Sequence, residues 1–263
     1  MNGKFATLRV EQRPGGVLLA TLDRPEVANA FNTRAALELD SFFRSIGGEP
    51  QSRCVVLTGA GDRAFCAGAD LKERNSLGEG EWRAQHEVFE RTFLAVRECP
   101  VPVIAAVNGA AYAGGLELML MCDFAYASTT ARFALTEVSL GIMPGGGGTQ
   151  TLPRVVGERR AKELILAARP FSAEEALAWG VVNKLCEPGK LLDEALDAAG
   201  RIASNAPLSV RQAKRAIRDG LQTDLISGMR LEIEAYNTLI GTEDRKEGIR
   251  AFNEKRKPKF AGR

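Results

Sequence analysis

Two acids stand apart from the other charged residues because each is set in apolar sequence beside a glycine turn. Glu117 lies within NGAAYAGGLELMLMCD, residues 108–123, and Glu137 opens TEVSLGIMPGGGG, residues 136–148. Paired carboxylates can handle a water molecule as base and acid when their surroundings move their pKa values toward working pH. Two runs of small residues, Cys66 to Ala69 and Ala113 to Gly115, could bring backbone N–H groups to a developing enolate oxygen. The single histidine, His86, excludes a Ser-His-Asp triad or a multi-histidine zinc site that does not include it, and its charged helical context reads as solvent-facing. Spacing alone does not make these pieces converge.

The elements that must position these groups follow from pattern. Residues 101–107 are a continuous apolar run, a buried strand. Gly109, Gly114 and Gly115 permit a sharp turn after it, and Leu116 to Cys122 predicts a helix that is apolar on every side except at Glu117. The free N–H groups and positive dipole end of such a helix favour an oxyanion. Before it, residues 4–22 read as strand, turn at Pro14-Gly15-Gly16 and strand; 33–46 as an amphipathic helix; and Cys54 to Thr58 as a strand. Residues 59–64, GAGDRA, match a dinucleotide fingerprint, but FCAGAD follows where a helix is required, so the stretch reads as a tight loop whose backbone nears a ligand. Residues 71–80 are polar and read as a mobile loop, and 82–97 as an amphipathic helix. Phe124 to Ala127 and Arg132 to Leu135 read as strands. Gly145 to Gly148 lack the GK[ST] ending of a phosphate loop and read as a pliable loop before a short helix from Thr149. A capping box at Ser172 to Glu175 opens another helix, and Val181 to Cys186 is the last expected strand. Beyond it, 191–204, 207–220, 224–240 and 243–256 all read as helices. The expected organisation is an α/β body over 1–190 and a helical region over 191–263.

Composition sets outer limits. The 263 residues are 45% hydrophobic and carry a net charge of +2, an ordinary globular balance that selects no partner class. No apolar run is long enough to span a bilayer, and the opening MNGKFATLRVEQ lacks the apolar segment of a signal peptide. Five cysteines without a CxxC pair read as buried free thiols in a reducing, cytoplasmic compartment. Lys255, Arg256, Lys257 and Lys259 form a basic tip, read as a solvated tail with a phosphate site as the alternative.

Several long segments, in order, resemble the enoyl-CoA hydratase (crotonase) family: AFCAGADLKE from Ala64, IAAVNGAAYAGGLEL from Ile104, CDFAYAS from Cys122, TEVSLGIMPGGGGTQ from Thr136, AKELILAAR from Ala161 and EDRKEGIRAFNEKRKP from Glu243. The resemblance implies a crotonase-like α/β spiral of ββα turns with a C-terminal helical trimerisation region. It implies a homotrimer, or a hexamer built as a dimer of trimers. By the same resemblance Glu117 and Glu137 are the catalytic acids, and Ala67 and Gly114 supply the oxyanion amides. Gly68, Ala69, Asp70, Leu71 and Lys72 border the thioester and the CoA arm, and Phe252 and Lys255 reach the CoA of a neighbouring subunit. The substrate is then a trans-2-enoyl-CoA thioester. Glu117 activates water for attack at C3, protonated Glu137 delivers hydrogen to C2, and neither metal nor redox cofactor is required.

The presence of both glutamates favours hydration over double-bond isomerisation. One departure from the family pattern is Tyr112-Ala113, where Leu-Gly or a similar pair usually precedes the second oxyanion glycine; it leaves acyl-chain length and shape open. GADLKER, PGGGGTQ and the C-terminal segment most resemble the branch containing 3-methylglutaconyl-CoA hydratase of leucine breakdown, an alternative activity. Some of that branch bind RNA through a lysine-rich first helix. Here that helix holds Arg34 and Arg44 but no lysine, so nucleic acid is not an expected partner.

Overall fold

The structure is a computed structural model that describes residues 5–49 and 51–263. Lys4, the start of the first expected strand, lies outside the described residues. Strands β1 (Leu8–Arg13) and β2 (Val17–Leu22) form an antiparallel hairpin. Every residue of β2 is buried, which explains its unbroken apolar sequence. Helix α1 (Thr33–Ile46) begins where the Asn32 side chain accepts the Ala35 N–H at 2.8 Å.

Three strand–strand–helix turns follow. The first contains β3 (Cys54–Gly59), β4 (Ala64–Cys66), the single-turn α2 (Leu71–Arg74) and α3 (Glu79–Arg97). The second contains β5 (Val103–Val107), β6 (Ala110–Tyr112) and α4 (Gly114–Met121). The third contains β7 (Phe124–Ser128), β8 (Arg132–Ala134), a 3-10 turn at Glu137–Leu140, α5 (Gly148–Val156) and α6 (Glu158–Leu166). Then come β9 (Phe171–Ser172), α7 (Ala173–Ala178), β10 (Lys184–Cys186) and α8 (Leu191–Ala203). Helices α9 (Pro207–Gly220), α10 (Leu225–Asn237) and α11 (Glu243–Asn253) complete the chain.

The first strand of each turn joins a sheet ordered β1-β2-β3-β5-β7-β10, and the second joins a smaller sheet ordered β4-β6-β8-β9. Within each turn the chain climbs one place in both sheets, because β3, β5 and β7 pair in parallel and β4, β6 and β8 do the same. This is the expected ββα spiral. It puts the second-sheet strands, and the loops leaving them, in one row.

Some local expectations need correction. Strands β4 and β6 were not expected and run up to the small-residue stretches at Cys66 and Ala113, because three residues cannot display a period and each strand exists only by pairing with its neighbour in the spiral. The stretch 71–80 is not simply a polar loop. The Asp70 carboxylate accepts the Lys72 N–H at 3.1 Å and the Glu73 N–H at 3.5 Å, which nucleates α2. Val181 and Val182 are not in a strand, because their N–H groups close onto the Ala176 carbonyl at 2.8 and 3.3 Å.

The boundary expected near 190 also moves. Leu191, Ala195 and Ala199 of α8 share a core with Val17, Leu19, Val56 and Ile104 on the outer face of the large sheet. Helix α8 is therefore part of the body, and the helices clear of the sheet start with α9. Lys214 on α9 ties that region back, donating to the Val101 carbonyl at 2.9 Å and the Asp123 carboxylate at 2.6 Å.

Candidate active site

Glu117 enters the site on the first turn of α4, and the approach of that helix to β4 is set by one glycine. A Cβ on Gly115 would stand 2.0 Å from the Cys66 carbonyl oxygen, so no other residue fits there without moving β4. The helix starts from Ala113 at φ 49°, ψ −126°, a backbone conformation suited to glycine. The methyl group of Ala113 thus sits in a strained turn at the cavity wall, and Tyr112 precedes it on β6.

The Glu117 carboxylate is 3% exposed, and its Oε1 accepts N–H groups from both Gly146 and Gly148 at 2.8 Å. The glycine run is thus more than a pliable loop. A Cβ on Gly146 would stand 2.9 Å from Glu117 Oε2, and one on Gly148 would stand 3.0 Å from Oε1. Bare backbone is what lets both amides close on one oxygen. Burial pushes the Glu117 pKa up, while these two donors and the charge of Arg74 oppose the rise.

Glu137 comes from the 3-10 turn after β8 and is 7% exposed. Its Oε2 has no hydrogen-bond partner among the described residues. Burial, together with the nearby charge of Glu117, pushes its pKa up to about 7, against the pull of its own backbone N–H. The two acids therefore differ in kind. Glu117 has donors for an anion, whereas Glu137 has a bare oxygen that favours keeping a proton.

Both acids line one cavity of about 110 Å³, together with Ala67, Ala69, Leu71, Ala113 and Gly114. The Ala67 amide, expected to serve an oxyanion, is not free. The Ala67 N–H is donated to the Ala28 carbonyl at 3.0 Å and is spent there. Ala69, two residues on, forms a parallel bridge with Phe31 in which Phe31 N–H goes to Gly68 and Asp70 N–H goes to Phe31. That pattern turns the Ala69 N–H to the opposite side, and no acceptor takes it among the described residues. Gly114 opens α4, so its N–H has no acceptor within the helix. A Cβ on Gly114 would lie only 3.9 Å from the Ala69 nitrogen, so the two free amides belong to abutting segments.

The other expected site residues divide. Gly68, at φ +93°, packs under the Ala113 turn, where a Cβ would meet the Ala113 methyl at 2.9 Å. Leu71 is half exposed at the cavity edge, and Lys72 is exposed outside its lining. The Asp70 carboxylate is occupied by the α2 cap and by a 2.9 Å ion pair with Arg24, which makes it a structural group. Phe252 and Lys255 are exposed and line no part of this cavity. Arg256 of the basic tip pairs with Glu247 and Glu254.

His86 is a correction. It lines the cavity against Gly145, where a Cβ would stand 2.5 Å from the imidazole Cε1. Arg74, Phe89 and Phe93 from α2 and α3 line the same wall. Sequence reasoning missed Arg74, His86, Gly146 and Gly148. The one available signal was the glycine run itself, since successive bare amides after an acid-bearing turn can bind an anion.

A family model described as enoyl-CoA hydratase/isomerase matches residues 12–263. The short-chain-enoyl-CoA hydratase of Clostridium acetobutylicum is 42% identical over 94% of this chain and 94% of that protein. The crotonyl-CoA hydratase of Syntrophomonas wolfei is 42% identical over 91% and 92%. The crystal structure of an enoyl-CoA hydratase from Bacillus anthracis superposes with a TM-score of 0.96 at 44% identity, covering 98% of this chain and all of that one. With the spiral, the paired acids and the two free amides already in place, these similarities assign the chain to the enoyl-CoA hydratase/isomerase family.

Proposed function

We propose that the protein is an enoyl-CoA hydratase, a hydro-lyase that adds water reversibly to a trans-2-enoyl-CoA thioester to give a 3-hydroxyacyl-CoA. The observation that carries this reading is the unequal pair of buried acids, Glu117 with two N–H donors and Glu137 with a bare oxygen raised to about 7. The thioester oxygen accepts the free N–H groups of Ala69 and Gly114, which polarises the double bond. Ionised Glu117 takes a proton from water as the water oxygen bonds to C3. The π electrons move to the carbonyl oxygen, and the two amides hold the resulting enolate. As the enolate collapses, Glu137 gives its proton to C2. The proton left on Glu117 returns to Glu137 through solvent, so water is consumed and the protein is unchanged. Every step uses carboxyl groups, amides and water, so the reaction is proposed to need no metal or redox cofactor.

The assembly is proposed to be a homotrimer or a hexamer. Helices α9 and α10 leave an apolar groove of about 710 Å³ lined by Ile217, Leu221, Leu225, Met229 and Tyr236. Phe252 at 84% exposure and Lys255 on the far helical region are proposed to complete a neighbour's CoA site. No helix among the described residues is long and apolar enough to cross a membrane. The free cysteines support a reducing, cytoplasmic location.

The test follows loss of the conjugated absorbance of crotonyl-CoA with wild type, Glu117→Gln and Glu137→Gln. Each variant should lose roughly 10²- to 10⁴-fold in kcat. Undiminished turnover in both would refute the assignment.

A further inference from the structure

The turn that carries the Gly114 amide holds a residue poorly suited to its backbone. Ala113 adopts φ 49°, ψ −126°, close to the first central position of a type II′ turn, where glycine is the residue at ease. Ala28 also has positive φ but lies in the ordinary left-handed well at φ 53°, ψ 37°. Hydrogen bonds pin Ala113 at both ends. Its N–H donates to the Ala134 carbonyl at 2.8 Å, and its carbonyl accepts the N–H groups of Leu116 and Glu117 at 2.9 and 3.1 Å. Strain of this kind persists only where the surroundings over-determine it. The methyl group meets Gly68 across a seam between the two amide-bearing segments. A Cβ on Gly68 would stand 2.9 Å from that methyl, and one on Gly114 would stand 3.6 Å from Gly68 Cα. The last paired residues before the seam are Cys66 and Ala111. Beyond them no hydrogen bond joins residues 68–69 to residues 113–114 among the described residues, so contact sets the spacing of the Ala69 and Gly114 amides. Ala69, Ala113 and Gly114 all line the cavity.

We infer that the Ala113 methyl is a positioning group: it wedges the turn before α4 against Gly68 and so fixes the separation of the two oxyanion amides. The inference rests on the hydratase reading, from which it takes the thioester oxygen held by Ala69 and Gly114. Charge on that oxygen grows as the enolate forms, and donors stabilise it fully only when they are already set at hydrogen-bond distance. Ala113→Gly relaxes the backbone and removes the wedge in one change, so stability and turnover separate. The unfolded chain gains freedom from the same change, which offsets part of the relief. The strain at Ala113 is thus kept for the clamp and not for the fold.

The experiment follows wild type, Ala113→Gly and Ala113→Ser by melting temperature, by crotonyl-CoA hydration and by binding of two thioesters that have no double bond to hydrate. Acetoacetyl-CoA can bind as an enolate with charge shared onto the thioester oxygen, whereas butyryl-CoA leaves that oxygen neutral. Ala113→Gly should melt no more than about 3 °C below wild type. Its kcat should fall roughly 10- to 100-fold with a smaller change in KM. Its affinity for acetoacetyl-CoA should drop at least roughly tenfold, and that for butyryl-CoA by less than about twofold. Ala113→Ser, which keeps the Cβ, should recover most of both losses. Equal weakening of the two thioesters, or a melting temperature lowered by more than about 3 °C, would make the methyl ordinary packing and overturn the inference. Undiminished turnover in Ala113→Gly overturns it too and leaves the hydratase reading intact. If wild type does not hydrate crotonyl-CoA the hydratase reading fails, and the comparison of the two bound thioesters still decides whether the methyl sets the clamp.

Discussion

The proton held by Glu137 gives the proposed mechanism a pH signature. Burial and the Glu117 charge raise its pKa from 4.5 to about 7. In the proposed mechanism activity requires that proton, so kcat/KM should fall as pH rises above about 7. Stability follows the same group. Between 4.5 and about 7 the folded state holds a proton that the unfolded chain has released, so unfolding free energy should decline as pH rises through that window. Chemical denaturation at pH 4.5 and pH 7.5 should show wild type losing stability relative to Glu137→Gln. Parallel curves would contradict the raised pKa. Both acids were legible in the sequence because a charge inside an apolar run is conspicuous. The sequence pointed to the Ala67 amide, since Cys66-Ala67-Gly68-Ala69 offers no sign of which amide is spent. The bond from Ala67 to Ala28 shows that this one is taken. His86 was misread because its helix is charged on one face, and the glycine that packs against it lies far along the chain.

At the scale of elements, the loop from Gly145 to Gly148 is the device that holds Glu117 ready. Gly146→Ala would bring a Cβ to 2.4 Å from the Phe93 ring and 2.9 Å from Glu117 Oε2. The loop must then retreat and the carboxylate loses an N–H donor. We expect kcat to fall by roughly 10- to 100-fold with a smaller change in KM, as for loss of an interaction that orients a reacting group. Gly80→Ala on α3, where a Cβ meets nothing within 4 Å, is the matched control and should leave turnover unchanged. Equal activity in the two variants would remove the loop from the mechanism. The long helices and the apolar strands of the large sheet were readable from period and length. The second sheet was legible only at β8, read as a strand over Arg132 to Leu135; β4 and β6 are each three residues long and owe their existence to the spiral that aligns them.

For the whole molecule, the apolar face of α9 and α10 is what the proposed assembly would cover. Leu221 and Leu225 are 78% and 76% exposed. Exposed apolar surface of this extent marks an interface. Sedimentation should give a trimer or hexamer for wild type, and Leu221→Asp with Met229→Glu should shift it to smaller species. A wild-type monomer at micromolar concentration would defeat the proposed assembly. The helical character of the region beyond 190 was legible, but the docking of α8 on the sheet was not. The alanines that form its contact face, Ala195 and Ala199, look the same whether they meet a sheet or another helix.

Cys66 lies at the end of β4, fully buried, with its sulfur 3.4 Å from the Gly68 nitrogen and its carbonyl beneath Gly115. Burial holds the thiol proton on, with the pKa pushed up to about 12, so the closed protein offers an alkylating reagent almost nothing to attack. Peptide mapping of modified Cys66 against time would therefore clock how often the segments carrying Ala69 and Gly114 come apart, and saturation with thioester should slow that clock.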